Sequence, residues 1–382
     1  MRLGINRFSG FLTIDQLKSS LKGKDVMEET RQETFSGVKD VAENLAIDND
    51  KLDAYMKLHV EGYEGPLTIK QFKGGQSNPT YQLLTPTRNY VLRRKPPGKL
   101  LPSAHAVDRE YKVITALGKT NVPVPKTFCM CEDETVLGTI FFIMEMVEGR
   151  ILWDPFLPEM TPVQRGEIYD AMNDALARLH CADYKAIGLA DFGKEGNYFE
   201  RQINRWTKQY IASETETIEV MNKLIEWLPN NIPSSNETTL VHGDYRIDNM
   251  IFHPTEPRVI AILDWELCTL GHPMADFSYH TMGWSLPEGT YNGMIGVDLA
   301  ALGIPSEAEY ISAYCQRTGR AEVLGGAFYL AYNLFRMAGI NQGIAGRMRD
   351  GTAASANAAD SAAAVRPLAE AGWEFAKKAG AQ

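Results

Sequence analysis

Leu240-Val-His-Gly-Asp-Tyr-Arg-Ile-Asp-Asn-Met-Ile-Phe-His-Pro-Thr-Glu-Pro-Arg-Val-Ile-Ala-Ile-Leu-Asp-Trp-Glu266 is the stretch that decides the fold. The apolar pair Leu240-Val241 leads His242-Gly243-Asp244 into a loop, and Asn249 follows Asp244 by five residues. Met250-Ile251-Phe252 resumes an apolar run. His253-Pro254-Thr255-Glu256-Pro257 then interrupts it with two prolines and short polar residues, the composition of a turn. Val259 to Leu263 is a β-branched strand pattern ending at Asp264. Folding the two runs into a hairpin returns Asn249 to within a residue or two of Asp264. Three oxygen-bearing side chains therefore meet at one open end. Asp and Asn also cap ordinary turns, so it is the constellation, with a hairpin between its halves, that points to chemistry.

That chemistry is phosphoryl transfer. Magnesium takes oxygen ligands, typically one or two carboxylates plus substrate phosphates. Asp264 and Asn249 can supply the protein oxygens, and Asp244 can accept a proton from an attacking hydroxyl. Asp248 reads as a solvated neighbour and His242 as a brace for the loop. Protein kinases space these groups as H-R-D-x-x-x-x-N followed by D-F-G. Here Gly243 stands in place of the Arg, and Asp264-Trp265-Glu266 in place of D-F-G. H-G-D-x-x-x-x-N with I-L-D-W-E resembles the aminoglycoside phosphotransferase and choline kinase-like family, small-molecule kinases with a protein-kinase-like fold.

The resemblance runs from about residue 51 to the C-terminus and implies an α+β, protein-kinase-like two-lobed fold. A small β-rich N-lobe is expected over residues 51–147. A larger, mainly helical C-lobe with catalytic loop, metal site and acceptor pocket is expected over 148–382, with residues 1–50 as an N-terminal extension. It implies ATP and Mg2+ as cofactors, Asp244 as catalytic residue, and Asn249 and Asp264 as metal ligands.

In the N-lobe, Leu67 to Phe72 alternates like a strand and Lys73 to Tyr81 is rich in glycine and short polar residues. Strand, glycine turn, strand is how kinases cover nucleotide phosphates. Gly74 and Gly75 permit close backbone approach, and Gln76, Ser77 and Asn78 add donors, although an ordinary hairpin reads similarly. Tyr90-Val-Leu-Arg-Arg-Lys95 aligns with the V-A-I-K strand of kinases, making Arg93 the cation for the α- and β-phosphates. Alternation puts Lys95 on the same face, so the choice between them stays open. Glu110, in the helical segment Ala106 to Leu117, is the simplest partner for that cation. Phe141 to Val147 reads as a buried strand; by order along the chain it leads into the kinase hinge, which places Glu145 and Val147 against the nucleotide.

Part of the first fifty residues reads as a helix around Phe35 to Leu45. Thr161 caps a helix with Pro162 at its first position, running to about His180. Further helices are expected over Ile203 to Leu228, Ala327 to Met348 and Pro367 to Lys378. Gly271-His-Pro-Met-Ala-Asp276 resembles the family segment that packs behind the metal loop, with Asp276 structural. Arg336 and Arg347 share a helix face, with Arg349 just beyond; they are candidates for binding an anionic acceptor, with surface salt bridges as the alternative.

The chain has 382 residues, enough for two lobes, and 44% hydrophobic with 23% charged residues is ordinary for a globular protein. A net charge of -9 offers no footprint for nucleic acid. The five scattered cysteines fit neither a zinc knuckle nor a disulfide framework. No run reaches the length of a membrane span, and the reading is a cytoplasmic protein without a membrane partner. Y-V-L-R-R-K-P-P-G, F-K-G-G-Q-S-N-P-T-Y and G-H-P-M-A-D-F-S-Y look most like the kinase-like domains associated with acyl-CoA dehydrogenases. That similarity implies a Mg-ATP-dependent kinase of a small-molecule hydroxyl, with a hydroxyacyl-CoA as acceptor. An antibiotic kinase acting on aminoglycosides and a non-catalytic nucleotide-binding regulatory module are the other readings.

Overall fold

The computed structural model describes residues 37–73, 78–96, 106–288, 292–352 and 358–382. Strands β1 Val38–Lys39, β2 Thr68–Phe72, β3 Thr80–Leu84, β4 Tyr90–Arg94, β5 Thr127–Cys131 and β6 Phe141–Glu145 form one antiparallel sheet. Their order is β1-β2-β3-β4-β6-β5, so the last strand inserts beside β4. Alternation along these strands gives the sheet two different faces. Tyr90 and Leu92 point with Tyr81, Leu83, Phe141 and Ile143 toward helix α1, Asn49–His59, which buries Leu52 and Met56 there. Val91, Phe142 and Met144 point the other way, toward helix α2, Val107–Leu117, and the main core. Arg93 shares the second face.

The expected helix around Phe35 to Leu45 is not what forms over its described part. Val38–Lys39 pairs with Phe72 and Gln71 as an edge strand, and Glu43–Leu45 is a single tight turn. The reason is the sheet: Tyr81 and Arg94 both donate to the Leu45 carbonyl, and the Ala42 amide donates to Gln71. Residues of the expected extension thus finish the sheet and its cover.

The rest of the chain is built on helices α3 Pro162–Cys181, α4 Tyr198–Ser213, α5 Glu219–Asn230, α6 Met274–His280, α7 Glu307–Thr318, α8 Gly326–Arg349 and α9 Val365–Lys378. A reciprocal Thr161–Gln164 capping box starts α3, with Pro162 following the cap. The single helix expected over 203–228 is two, α4 and α5. Its last carbonyls are taken from outside: Gln342 donates to Ser213 O at 2.6 Å and Arg349 to Glu214 O at 3.0 Å, and the chain turns there. Helix α8 threads the core with Phe328, Tyr332 and Phe335 buried, and α9 packs along it. All five cysteines are free, and no helix among the described residues is long and apolar enough to cross a membrane.

Two short hairpins nest between α5 and α6. Strand β7, Thr239–Val241, pairs with β10, Thr269–Gly271; inside them β8, Met250–Phe252, pairs with β9, Val259–Ile262. This nesting forces the loops 242–249 and 263–268 to emerge side by side. Leu263 N donates to Asn249 O at 2.8 Å and fastens them together. The inner hairpin also reaches the segment after β6, where Arg150 and Phe252 exchange backbone hydrogen bonds of 2.8 Å.

Candidate active site

Asp244 lies at the centre of the first loop. Its Oδ2 accepts from Asn249 Nδ2 at 3.0 Å and its Oδ1 from the Tyr279 hydroxyl at 2.9 Å. Asn249 also donates to the Asp244 carbonyl at 2.9 Å, so the five-residue spacing closes into a ring held by one amide. Arg246 Nε stands 3.1 Å from Oδ1 and its Nη2 3.3 Å from Asp248. His242 braces the loop, with Nε2 2.8 Å from Leu263 O and its ring against Trp265. Gly243 has φ +88°, and a Cβ there would meet the Leu267 backbone oxygen at 3.0 Å. That is why glycine, not arginine, follows the histidine.

Asp264, two residues past β9, sits in the left-handed region, φ 66° and ψ 59°, which Asp tolerates better than most residues. Arg93 reaches it from β4, Nη2 to Oδ1 at 2.7 Å, while Arg93 Nε stands 2.8 Å from Glu110 of α2. Glu266 is 3.8 Å from the same guanidinium and also accepts from Asn78. One buried cation therefore faces three carboxylates. Burial pushes the Glu110 carboxyl up to about 7 against the opposing pull of Arg93. Burial disfavours the Arg93 charge too, but the three carboxylates outweigh it and hold the guanidinium protonated.

A second layer fixes the loop. Asp276, fully buried at the start of α6, accepts from His242 N at 2.5 Å and Gly243 N at 2.8 Å. Burial works to raise its pKa, but the hydrogen bonds from the His180 ring and the Gly243 amide outweigh it, leaving the carboxyl below its ordinary value. His180 is itself buried with a lowered pKa, so it serves as a neutral ring between Asp276 and Tyr314. From α8, Arg336 donates to Gly243 O at 2.5 Å and lies over the rings of Tyr279 and Trp206.

Of the residues singled out from sequence, Asp244, Asn249, Asp264, Arg93, Glu110 and Asn78 come together here. Gly74, Gly75, Gln76 and Ser77 lie outside the described residues. Lys95 is set apart from the cluster, 3.9 Å from Asp108. Glu145 is exposed and accepts from Lys126 N, and Val147 lies two residues beyond β6. The three arginines do not form one patch. Arg336 is buried behind the 242–249 loop, whereas Arg347 and Arg349 are exposed at the far end of α8, about 16 Å along the helix. Tyr279 ends the G-H-P-M-A-D-F-S-Y segment but the sequence assigns it no role, and only the fold brings it to Asp244.

The donor set suits magnesium. Asn249 spends its amide nitrogen on Asp244, which leaves Oδ1 as its free acceptor. Asp264 keeps a 37% exposed carboxylate whose Oδ1 is held by Arg93. Among the described residues no group of three His, Cys, Asp or Glu side chains forms a metal site. Two protein oxygens with room for phosphates and water is the pattern of a nucleotide-borne metal rather than a protein cage.

Fold and site together define a kinase-like phosphotransferase. A sequence model of the phosphotransferase enzyme family matches residues 68–322, and the chain belongs to that family. Mouse acyl-CoA dehydrogenase family member 10 is 45% identical over 343 residues, 89% of this chain and 32% of the relative. Human acyl-CoA dehydrogenase family member 11 is 42% identical over 352 residues, 90% of this chain and 45% of the relative. The chain thus spans about a third to a half of the curated relatives it matches. Among solved structures, a Ralstonia eutropha protein proposed to be an aminoglycoside phosphotransferase is 56% identical. It superposes with a TM-score of 0.82, covering 87% of this chain and 99% of that one. Choline kinase from Cryptosporidium parvum, 12% identical with a TM-score of 0.60 over 87% of this chain and 96% of its own, shares the fold.

Proposed function

We propose that this chain transfers the γ-phosphoryl group of Mg-ATP to a hydroxyl of a small-molecule acceptor, and that the acceptor is a hydroxyacyl-CoA. The observation that carries the reading is the Asp244 carboxylate, held at both oxygens by Asn249 and Tyr279 beside the Arg93–Glu110–Asp264 cluster. Asp244 takes the proton of the acceptor hydroxyl as its oxygen bonds to the γ-phosphorus and the bond to ADP breaks. Arg93 balances charge on the α- and β-phosphates, with Glu110 fixing its direction. Asn249 and Asp264 are the residues that would hold magnesium, which when bound supplies neutralising charge at the phosphates. Gly74 to Asn78 is the proposed phosphate-covering turn, and Glu145 and Val147 the proposed adenine-side segment.

The acyl-CoA part of the reading is supported by the names of the relatives that are 42–45% identical. Coenzyme A brings several phosphate charges to a chain of net charge -9, so it needs a local cationic patch. The exposed pair Arg347 and Arg349 is the proposed patch, with Arg349 also in a salt bridge to Asp350 at 2.9 Å; Arg336, buried on Gly243, is not part of it.

The test is an ATP-consumption screen against hydroxyacyl-CoAs, aminoglycosides and choline, with products identified by mass spectrometry. Turnover is expected on hydroxyacyl-CoAs, falling at least 100-fold in Asp244→Asn while Mg-ATP affinity stays near wild type. Aminoglycoside phosphorylation, or Asp244→Asn turning over normally, would overturn the corresponding half of the reading.

A further inference from the structure

Next to Tyr279 and Arg246, both in contact with Asp244, the C-terminal lobe holds a partly open cavity of about 40 Å³. Four aromatic side chains form much of its wall: Tyr169, Tyr245, Tyr279 and Trp284. Met172, Met282 and Met294 fill between them. The polar atoms of these rings are committed to the protein. Tyr245 donates to Met172 O at 2.8 Å, Tyr169 to Pro155 O at 2.7 Å and Trp284 to Pro305 O at 2.8 Å. Tyr279 spends its hydroxyl on Asp244, and the His280 ring is hydrogen-bonded to Tyr310. Burial holds His280 down at about 4, so it is neutral at physiological pH. No carboxylate is among the described residues lining the cavity; Arg246 is its charged group, and Asn292 adds a neutral amide.

A polyhydroxylated or polyamine ligand placed here would lose water and find only Arg246 and Asn292 in exchange, and each polar group left unpaired costs about 1–3 kcal/mol. An alkyl group has nothing to lose. A quaternary ammonium would find aromatic faces, but in the wall it meets the Arg246 guanidinium and not the carboxylates of Asp244 and Asp248 that pair with it. We infer that this cavity is an acceptor subsite for a short, uncharged alkyl group attached to the carbon that bears the phosphorylated hydroxyl. The inference rests on the phosphotransfer reading above and adds which end of the acceptor enters. Tyr279 forms the boundary, one side lining the cavity and its hydroxyl orienting Asp244. The volume holds on the order of three water-sized groups, so a propyl group fills it.

The experiment uses hydroxyacyl-CoA thioesters whose carbinol carbon carries methyl, propyl or pentyl. It is run on the wild type, Met294→Ala and Met294→Trp, with melting temperature and Mg-ATP affinity as checks on folding. In the wild type kcat/KM is expected to rise about fourfold per methylene from methyl to propyl and to gain nothing further at pentyl. Met294→Ala should move the optimum to pentyl, and Met294→Trp should cost the propyl substrate at least tenfold while sparing methyl. A preference unchanged in both variants overturns the subsite. Binding of hexan-2-ol, followed by ligand-observed NMR, tests the cavity without turnover. Binding lost in Met294→Trp supports it, and tighter binding of choline or glucose overturns it. If no thioester is phosphorylated yet hexan-2-ol binds in this Met294-dependent way, the hydroxyacyl-CoA half of the reading fails and the alkyl subsite stands.

Discussion

Glu110→Gln isolates the electrostatics of the cluster that holds Asp264. Glu110 is fully buried against Arg93, with the Trp265 amide beside it and the carboxylates of Asp264 and Glu266 nearby. Burial raises its pKa from an ordinary 4.5 to about 7, despite Arg93. An acid whose folded value lies above its unfolded value binds its proton more tightly in the native state. Stability from that proton is fully present below pH 4.5 and is lost as pH rises through 7. At about 1.4 kcal/mol per pH unit, the interval from 4.5 to about 7 corresponds to about 3 kcal/mol. Glutamine keeps the shape and cannot ionise, so the variant escapes this loss. Urea unfolding of both proteins at pH 5, 6, 7 and 8 measures the difference. Glu110→Gln should gain on the wild type steadily across that range, by about 3 kcal/mol once pH exceeds 7. A difference that stays constant with pH would refute the argument, since the carboxyl would then titrate alike in both states.

Two further outcomes follow from the same geometry. Asp276→Ala strands the His242 and Gly243 amides, buried donors worth about 1–3 kcal/mol each when unpaired; a lower melting temperature should accompany a fall in kcat, while the KM for ATP changes little. Arg93→Ala should weaken Mg-ATP binding by at least tenfold, with Arg93→Lys recovering part of it, whereas Lys95→Ala, which loses only a 3.9 Å contact with Asp108, should bind within about twofold of wild type. Isothermal titration with a non-hydrolysable ATP analogue measures all three, and a larger effect at Lys95 would reverse the assignment of the phosphate-facing cation.

How far the sequence carries depends on where each constraint lies. The pair of loops was legible because its constraint is local: fourteen residues of hairpin and turn separate Asn249 from Asp264, and nothing distant is needed to bring Asn249 back to Leu263. Arg93 and Glu110 were legible for a similar reason, since strand alternation and one following helix place them on the same face of the sheet. Arg336 was not. Helical periodicity puts it in line with Arg347, but a period says which residues share a face and not which turns of a long helix are buried. Helix α8 passes through the core at Phe328 to Phe335 and emerges only near its end, so the two arginines meet different surroundings. The break between α4 and α5 escaped for the same cause, because Gln342 and Arg349 of α8 take carbonyls more than a hundred residues away. Tyr279 is the plainest case: it ends the G-H-P-M-A-D-F-S-Y segment, 35 residues from Asp244, yet nothing in that pattern gives it a role until α6 turns its hydroxyl onto the carboxylate. The chemistry-bearing atoms are thus written into short loops. The groups that hold and tune them come from helices whose mutual packing has no short-range pattern, and from those groups the 242–249 loop takes its shape.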